Sequence, residues 1–385
     1  MKTVSDLIDD LCPNGVNYVS LKDVAAIGTG SSNRNESNTE GKYPFYVRSK
    51  EVKRIDTFEF DETAIVIPGE GGVGDIFHYA EGKYALHQRA YRIAFHDERV
   101  IAKFAYYYLK VEFKAFILKK AVDGTVTSIR KPMIEDFRIP LPPIEVQREI
   151  VRILDTFTEL ETELEAELEA RKTQYEYYRS HLLSFRDAEA VGVRRVQLGD
   201  ICEYRKERSN YSTGTFLYVG VQDLLQERRG VSDDARFVSS AGHDIFMPGD
   251  VLLGNIRPYL KKVWHADVEG RTNGDVLVVT PRKEALTELD TSYLYFLLSS
   301  DDFFGYCVQT SKGAKMPRGD KQAILRYEIP VPSIETQRRI VKVLTSFETL
   351  TQDLDIGLPA EISARRQQYE YYRNKLLTFK ELEVA

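Results

Sequence analysis

Few residues in this chain have the type and spacing to do chemistry. Gly69-Glu70-Gly71-Gly72-Val73-Gly74 satisfies GxGxxG directly after a strand-like run, Ala64 to Pro68. In a nucleotide-binding fold the third glycine would open a helix whose N-terminus meets a phosphate. Here Asp75-Ile76-Phe77-His78-Tyr79 follows and reads as strand, so the expectation is a glycine-rich hairpin, or a loop close to a backbone, without a cofactor. Pro142-Pro143 resembles the proline pair of amino-methyltransferase motifs, in which a preceding Asn or Asp and a following aromatic hold an exocyclic amine. Here the pair instead stands between Leu141 and Ile144. No GxxxxGK[ST] is present to drive an ATP motor. The six histidines form no HExxH and lie near no CxxC, so no metal site is expected. His87-Gln88-Arg89 has side chains that could pair with base edges, and it reads equally as an ordinary strand end.

The rest of the chain must position these groups. Its 385 residues suggest two or three domains, and 43% hydrophobic with 29% charged residues excludes a largely disordered chain. No apolar stretch approaches the roughly 18 residues of a membrane span. The start, MKTVSDLIDD, is acidic without an apolar core, so no secretory signal is expected. Three scattered cysteines (Cys12, Cys202, Cys307) suit a reducing cytoplasm.

The strongest signal is an internal repeat. IPLPPIEVQREIVRILDTF (139–157) and IPVPSIETQRRIVKVLTSF (329–347) share 11 of 19 positions at an offset of 190. ARKTQYEYYRSHLLSF (170–185) and ARRQQYEYYRNKLLTF (364–379) share 11 of 16 at an offset of 194. Ile150, Ile153, Phe157, Leu160, Leu164 and Leu168 recur at helical spacing, as do Ile340, Val343, Phe347, Leu350 and Leu354. Each helix starts after a proline, with Glu145 or Glu335 in the first turn. A helix over 145–184 would be ~60 Å long, and its single apolar stripe needs a partner, most simply the other copy. The second copy carries four more residues around Gly357-Leu358-Pro359-Ala360, which should break or kink it. The repeated Gln-Tyr-Glu-Tyr-Tyr-Arg reads as a helix–helix interface rather than a stacking platform.

Before each helix lies a strand-rich stretch with short β-branched runs bounded by glycine, proline and asparagine. The two stretches open alike (Val19 to Val24; Val196 to Ile201) and close alike (Phe104 to Leu109; Tyr293 to Leu298), while their middles do not align. Two similar, non-identical readers joined by helices suit a long ligand read at two places, such as a DNA duplex. The formal charge of −6 does not oppose this, because the acids concentrate in residues 145–185. Residues 101–131 carry seven bases and two acids, residues 305–326 five and one, and Asn255 to Lys262 form a third patch. Solubilising lysines are the plainer alternative.

With these residues assembled, the chain resembles the specificity subunit of type I restriction–modification systems over essentially its whole length. The resemblance is carried by IPLPPIEVQREIV and IPVPSIETQRRIV, each followed by QYEYYR and by LLSF or LLTF. Leu11-Cys12-Pro13-Asn14-Gly15-Val16 and Gly249-Asp250-Val251-Leu252-Leu253 add to it. The resemblance implies an α+β chain in which two strand-rich target recognition domains (1–142 and 188–331) are separated by two long antiparallel coiled-coil helices (143–187 and 332–385), as a pseudo-two-fold internal duplication. It implies a non-catalytic subunit that reads a split, asymmetric sequence on double-stranded DNA, with the helices setting the gap. Two methyltransferase subunits are the implied partners, restriction subunits an optional addition, and no membrane is involved. The chain itself would hold no cofactor, with S-adenosylmethionine and ATP on the partners.

Contacts to DNA are expected from polar and basic residues beside the patches. In the first domain these are Arg48, Lys50, His87, Gln88, Arg89, Arg130 and Lys131. In the second they are Asn255, Arg257, Tyr259, Lys261, Lys262, Lys315 and Arg318. Subunit interfaces are expected at Gln147, Phe157, Tyr175 and Tyr178, and at their counterparts Gln337, Phe347, Tyr369 and Tyr372. Two other classes remain. A stand-alone methyltransferase would bind a cofactor at Gly69 to Gly74, and a structural scaffold would lack sequence-dependent DNA affinity.

Overall fold

The computed structural model describes residues 4–72, 74–120, 128–185, 192–207, 215–232, 234–238, 244–353 and 355–383. The chain forms two compact units, Met1–Glu165 with Glu361–Ala385, and Ala166–Ala360. The division therefore falls inside the helical segments and not at their ends.

The first unit contains β1 (Asn17–Ser20), β2 (Ala25–Thr29), β3 (Tyr43–Tyr46), β4 (Lys53–Ile55), β5 (Phe60–Asp61), β6 (Ala64–Pro68), β7 (His78–Ala80), β8 (Lys83–Leu86), β9 (Ala90–Phe95) and β10 (Arg138–Leu141). They form sheets of order β2-β9-β6-β7 and β4-β3-β8-β5, with β1 paired to β10. The second sheet is mixed, because β3 and β8 run parallel. Strand β6 is buried along its whole length. Ile65 and Ile67 face a core with Phe104, Leu109, Phe113, Ile150 and Leu154, while Ala64 and Val66 face Tyr84 and Leu86 of the other sheet. A strand covered on both faces reads as a continuous apolar run rather than an alternating one. Helices, sheet and second sheet thus form three layers.

The second unit repeats this plan. It contains β11 (Arg194–Gln197), β12 (Cys202–Tyr204), β13 (Phe216–Val219), β14 (Arg236–Val238), β15 (Asp244–Phe246), β16 (Val251–Gly254), β17 (Val263–His265), β18 (Gly270–Thr272), β19 (Val276–Pro281) and β20 (Glu328–Val331). Their orders are β12-β19-β16-β17 and β14-β13-β18-β15, with β11 paired to β20 and β13 parallel to β18. Among the described residues every strand of one unit has its counterpart in the other, including the middles that show no alignable sequence. The helices behind the sheet differ. The first unit has one helix, Ala102–Lys120, where the second has Thr291–Leu298 and Asp301–Gln309.

Helix Ile144–Ser184 is continuous over 41 residues. The second copy is broken into Ile334–Gln352 and Leu358–Leu376, as Gly357 and Pro359 require. At Gly357 an added Cβ would lie 2.5 Å from the Thr349 carbonyl oxygen, so the tight turn admits no side chain. The C-terminal segment returns to the first unit, where Val16 N–H donates to the Lys380 carbonyl (2.9 Å) and Leu382 N–H to that of Val16 (3.0 Å). Gly15, at φ +98°, lets the chains approach there: a Cβ would meet the Lys380 carbonyl at 2.5 Å.

Candidate nucleic-acid interface

At one edge of the first unit three segments meet. The loop after β6 is anchored by Gly69, whose N–H donates to the Arg89 carbonyl (2.8 Å) and whose carbonyl accepts from Ile129 N–H (2.8 Å). Glu70 forms an isolated bridge with Ser128. The glycine-rich sequence is therefore a hairpin loop between the antiparallel strands β6 and β7, with Gly71, Gly72 and Gly74 at positive φ. Glu70 Oε2 accepts from Arg48 Nη1 and from Arg89 Nη1, each at 3.0 Å. Arg34, Arg48, Glu70 and His87 line a cavity of about 260 Å³ beside this pair.

The second unit has the same junction. Asn255 N–H, after β16, donates to the Asp275 carbonyl (2.9 Å), and Gly319 N–H donates to the Asn255 carbonyl (3.2 Å). Ile256 bridges Arg318 as Glu70 bridges Ser128. By these hydrogen bonds Gly69 corresponds to Asn255, Arg89 to Asp275, Ser128 to Arg318 and Ile129 to Gly319. The backbone is kept and the charges are exchanged: Arg318 Nη2 now pairs with Asp275 Oδ1 (3.1 Å), from the opposite segment. Arg257, in a left-handed conformation at φ 55°, donates its N–H to Pro317. The side chains of Arg257, Tyr259, Lys315 and Met316 are exposed beside it.

The junctions gather many of the expected contact residues, though not all as expected. Arg48, Lys50, Gln88, Arg89, Arg130 and Lys131 are exposed. Gln88 Nε2 donates to Asn33 Oδ1 (2.6 Å), and Lys131 lies 3.5 Å from Glu135. His87 is a correction. It is only 6% exposed, its Nδ1 accepts from Arg89 N–H at 3.0 Å, and it shapes the turn. Burial, with the charges of Arg48 and Arg89, holds its pKa below the usual histidine value. Asn255 is a second correction, since its side chain is buried and its Oδ1 lies against Gly319. Lys261 and Lys262 point elsewhere. Lys261 pairs with Asp301 (2.9 Å), and Lys262 Nζ donates to the Val221 carbonyl (2.6 Å), with burial lowering its pKa. Glu70 and Asp275 were not singled out from sequence. Glu70 had a signal only as part of the glycine run, and Asp275 had none.

On the helices, Gln147 and Gln337 are fully buried. Gln147 accepts from Ile101 N–H and donates to Arg99 and Pro142, while Gln337 accepts from Asp290 N–H and donates to Glu288 and Pro332. Both amides latch a helix start to its own unit and leave no surface for a partner, contrary to their assignment to subunit interfaces. In the first unit Phe157 contacts Tyr369 and Tyr372, and Arg366 pairs with Glu161 and Glu165. In the second Phe347 contacts Tyr175 and Tyr178. Tyr175 is buried, and its hydroxyl donates to Glu348 at 2.7 Å. Among the described residues of these helices the exposed aromatics are Tyr177 and Tyr178, and their counterparts Tyr371 and Tyr372. Among the described residues no group of His, Cys, Asp and Glu could hold a metal, and no helix is long and apolar enough to cross a membrane.

The fold defines a class, a chain of two like α+β modules with arginine-bearing loops at equivalent positions. The chain belongs to the family of type I restriction modification DNA specificity domains, whose model matches it twice, over residues 13–170 and 191–364. It is 30% identical over 307 residues to the EcoR124I/EcoR124II specificity subunit of Escherichia coli, covering 75% of this chain and 74% of that one. It is 25% identical over 385 residues to a putative type I restriction enzyme specificity subunit of Haemophilus influenzae, covering 94% and 96%. In fold it is similar to the type I restriction–modification S subunit from M. genitalium, with a TM-score of 0.60 at 18% identity, covering 94% and 96%.

Proposed function

We propose that the chain is the DNA sequence-recognition subunit of a type I restriction–modification complex, non-catalytic, with each unit reading one half of a split target. The observation that carries this is one strand order built twice, with unlike arginine-bearing loops at the same edge. A shared frame places both readers on a duplex in the same way, and unlike loops make the half-sites different. The helical segments form an antiparallel coiled-coil spacer in a pseudo-two-fold duplication, and they set the gap. Their exposed tyrosine pairs are the surface offered to two methyltransferase subunits, with restriction subunits joining that assembly. The chain needs no cofactor of its own. S-adenosylmethionine and ATP are held by the partners, and the complex works in the cytoplasm.

The spacer is tested by deleting Glu167 to Ala170 from the subunit co-purified with its methyltransferase. Four residues are ~6 Å of helix, close to two base-pair steps. Binders selected from random duplexes are expected to keep both half-sites and shift the gap. An unchanged gap, or altered half-sites, contradicts the spacer role.

A further inference from the structure

We propose that the three-segment junction of each unit selects its half-site, with arginines reading guanine edges and a carboxylate, Glu70 or Asp275, acting as the positioning residue that aims them. This rests on the DNA-recognition reading and assigns its specificity to particular side chains.

The duplication keeps some side chains and exchanges others. Where a side chain serves the fold, both copies hold it, as with Gln147 and Gln337. At the junction the backbone hydrogen bonds are kept, while Arg89, Glu70 and Ser128 are replaced by Asp275, Ile256 and Arg318. Positions freed from the fold and loaded with charge are where two readers of different sequences must differ.

The ion pairs do little for stability. Arg48, Arg89 and Arg318 are 41%, 56% and 58% exposed, in the range where such pairs contribute little. Their effect is to restrict the guanidinium. A long side chain loses rotamer freedom when it is fixed on a ligand, and a carboxylate that fixes it beforehand reduces that loss. The carboxylate engages one terminal nitrogen of each of these arginines. Two N–H groups per guanidinium suffice for the bidentate pairing to O6 and N7 of guanine. The surroundings attract a polyanion. Arg34, Arg48 and Arg89 stand against Glu70 in the first unit. Arg257, Lys312, Lys315 and Arg318 stand against Asp275 and Asp320 in the second.

The test uses the full chain co-purified with its methyltransferase, and base discrimination is read at every position of the target. Arg89→Ala is expected to lose the preference for one G·C pair in one half-site, by roughly 10- to 100-fold. The other half-site should be untouched. Arg318→Ala should do the same in the opposite half. Glu70→Gln should weaken discrimination at the Arg89 position by less than Arg89→Ala does, and Glu70→Asp should restore part of it. A uniform loss of affinity with a shallower salt dependence and unchanged base preferences would make these arginines phosphate contacts and overturn the proposal. So would changes in the same half from both arginine variants. A wild-type complex with no two-part preference would overturn the DNA-recognition reading as well, which separates the two failures.

Discussion

The helix starts of the two units and the loop junctions of the two units have diverged by very different amounts. Gln147 and Gln337 make the same three hydrogen bonds to equivalent loops, and Phe157 and Phe347 meet equivalent tyrosine pairs. At the junctions the backbone pattern survives while its charges change segment. A buried amide that satisfies three backbone groups cannot be exchanged without orphaning them. An exposed ion pair can be reversed at little cost to the fold. Between these two regions divergence falls where stability is least affected, which is also where the proposal above places recognition.

The comparison can be broken most strongly in the two apolar cores, where each helix start packs behind its sheet. Leu154 and Leu344, both fully buried, are counterparts at an offset of 190. Leu154→Ala and Leu344→Ala should each cost roughly 2–5 kcal/mol in denaturant unfolding. Costs that differ by more than the span of that range would deny the equivalence. Gln147→Ala and Gln337→Ala come next, at on the order of 2–4 kcal/mol each from orphaned backbone groups. Slower hydrogen exchange at Ile101 or Asp290 in these variants would contradict the latch.

The tyrosines should show an asymmetry. Tyr175 is buried with its hydroxyl on Glu348, a carboxyl that burial pushes upward while Tyr175, Arg179 and Arg228 hold it down. Tyr369 is only partly buried. Tyr175→Phe is expected to cost about 1–3 kcal/mol and Tyr369→Phe less, by the same unfolding assay. Equal costs would mean that the second unit gains nothing from its buried polar contact.

The smallest effect is on pH dependence. Burial, with Arg48 and Arg89 nearby, lowers the pKa of His87, so the folded chain favours the neutral ring. Its contribution is intact above about pH 6.5 and is lost as the pH falls through the lowered folded value. His87→Asn should flatten the fall in thermal midpoint below that pH, and an unchanged slope would exclude His87 as a source.

The helices were legible in sequence because their apolar period and their repetition report the same packing twice. The break at Gly357 and Pro359 and the hairpin after β6 were legible from backbone chemistry alone. The common plan of the sheets was not. Strands such as β6 and β16 are covered on both faces and tolerate any apolar residue of suitable size, so Ala64 to Pro68 and Val251 to Gly254 are identical at no equivalent position. His87 and Asn255 are polar residues in loop-like sequence, and only the tertiary fold shows them buried. Arg89 and Arg318 were visible as bases. Their carboxylate partners come from other segments, and no local spacing reports that.

The most direct measurement is selection of duplexes from a random pool by the subunit co-purified with its methyltransferase. Two unlike half-sites separated by a fixed gap are the expected result, since the two junctions carry different side chains on one frame. Two identical half-sites would contradict the distinction drawn between the units. Enrichment of no sequence, with intact methyltransferase present, would contradict the reading of this chain as the recognition subunit.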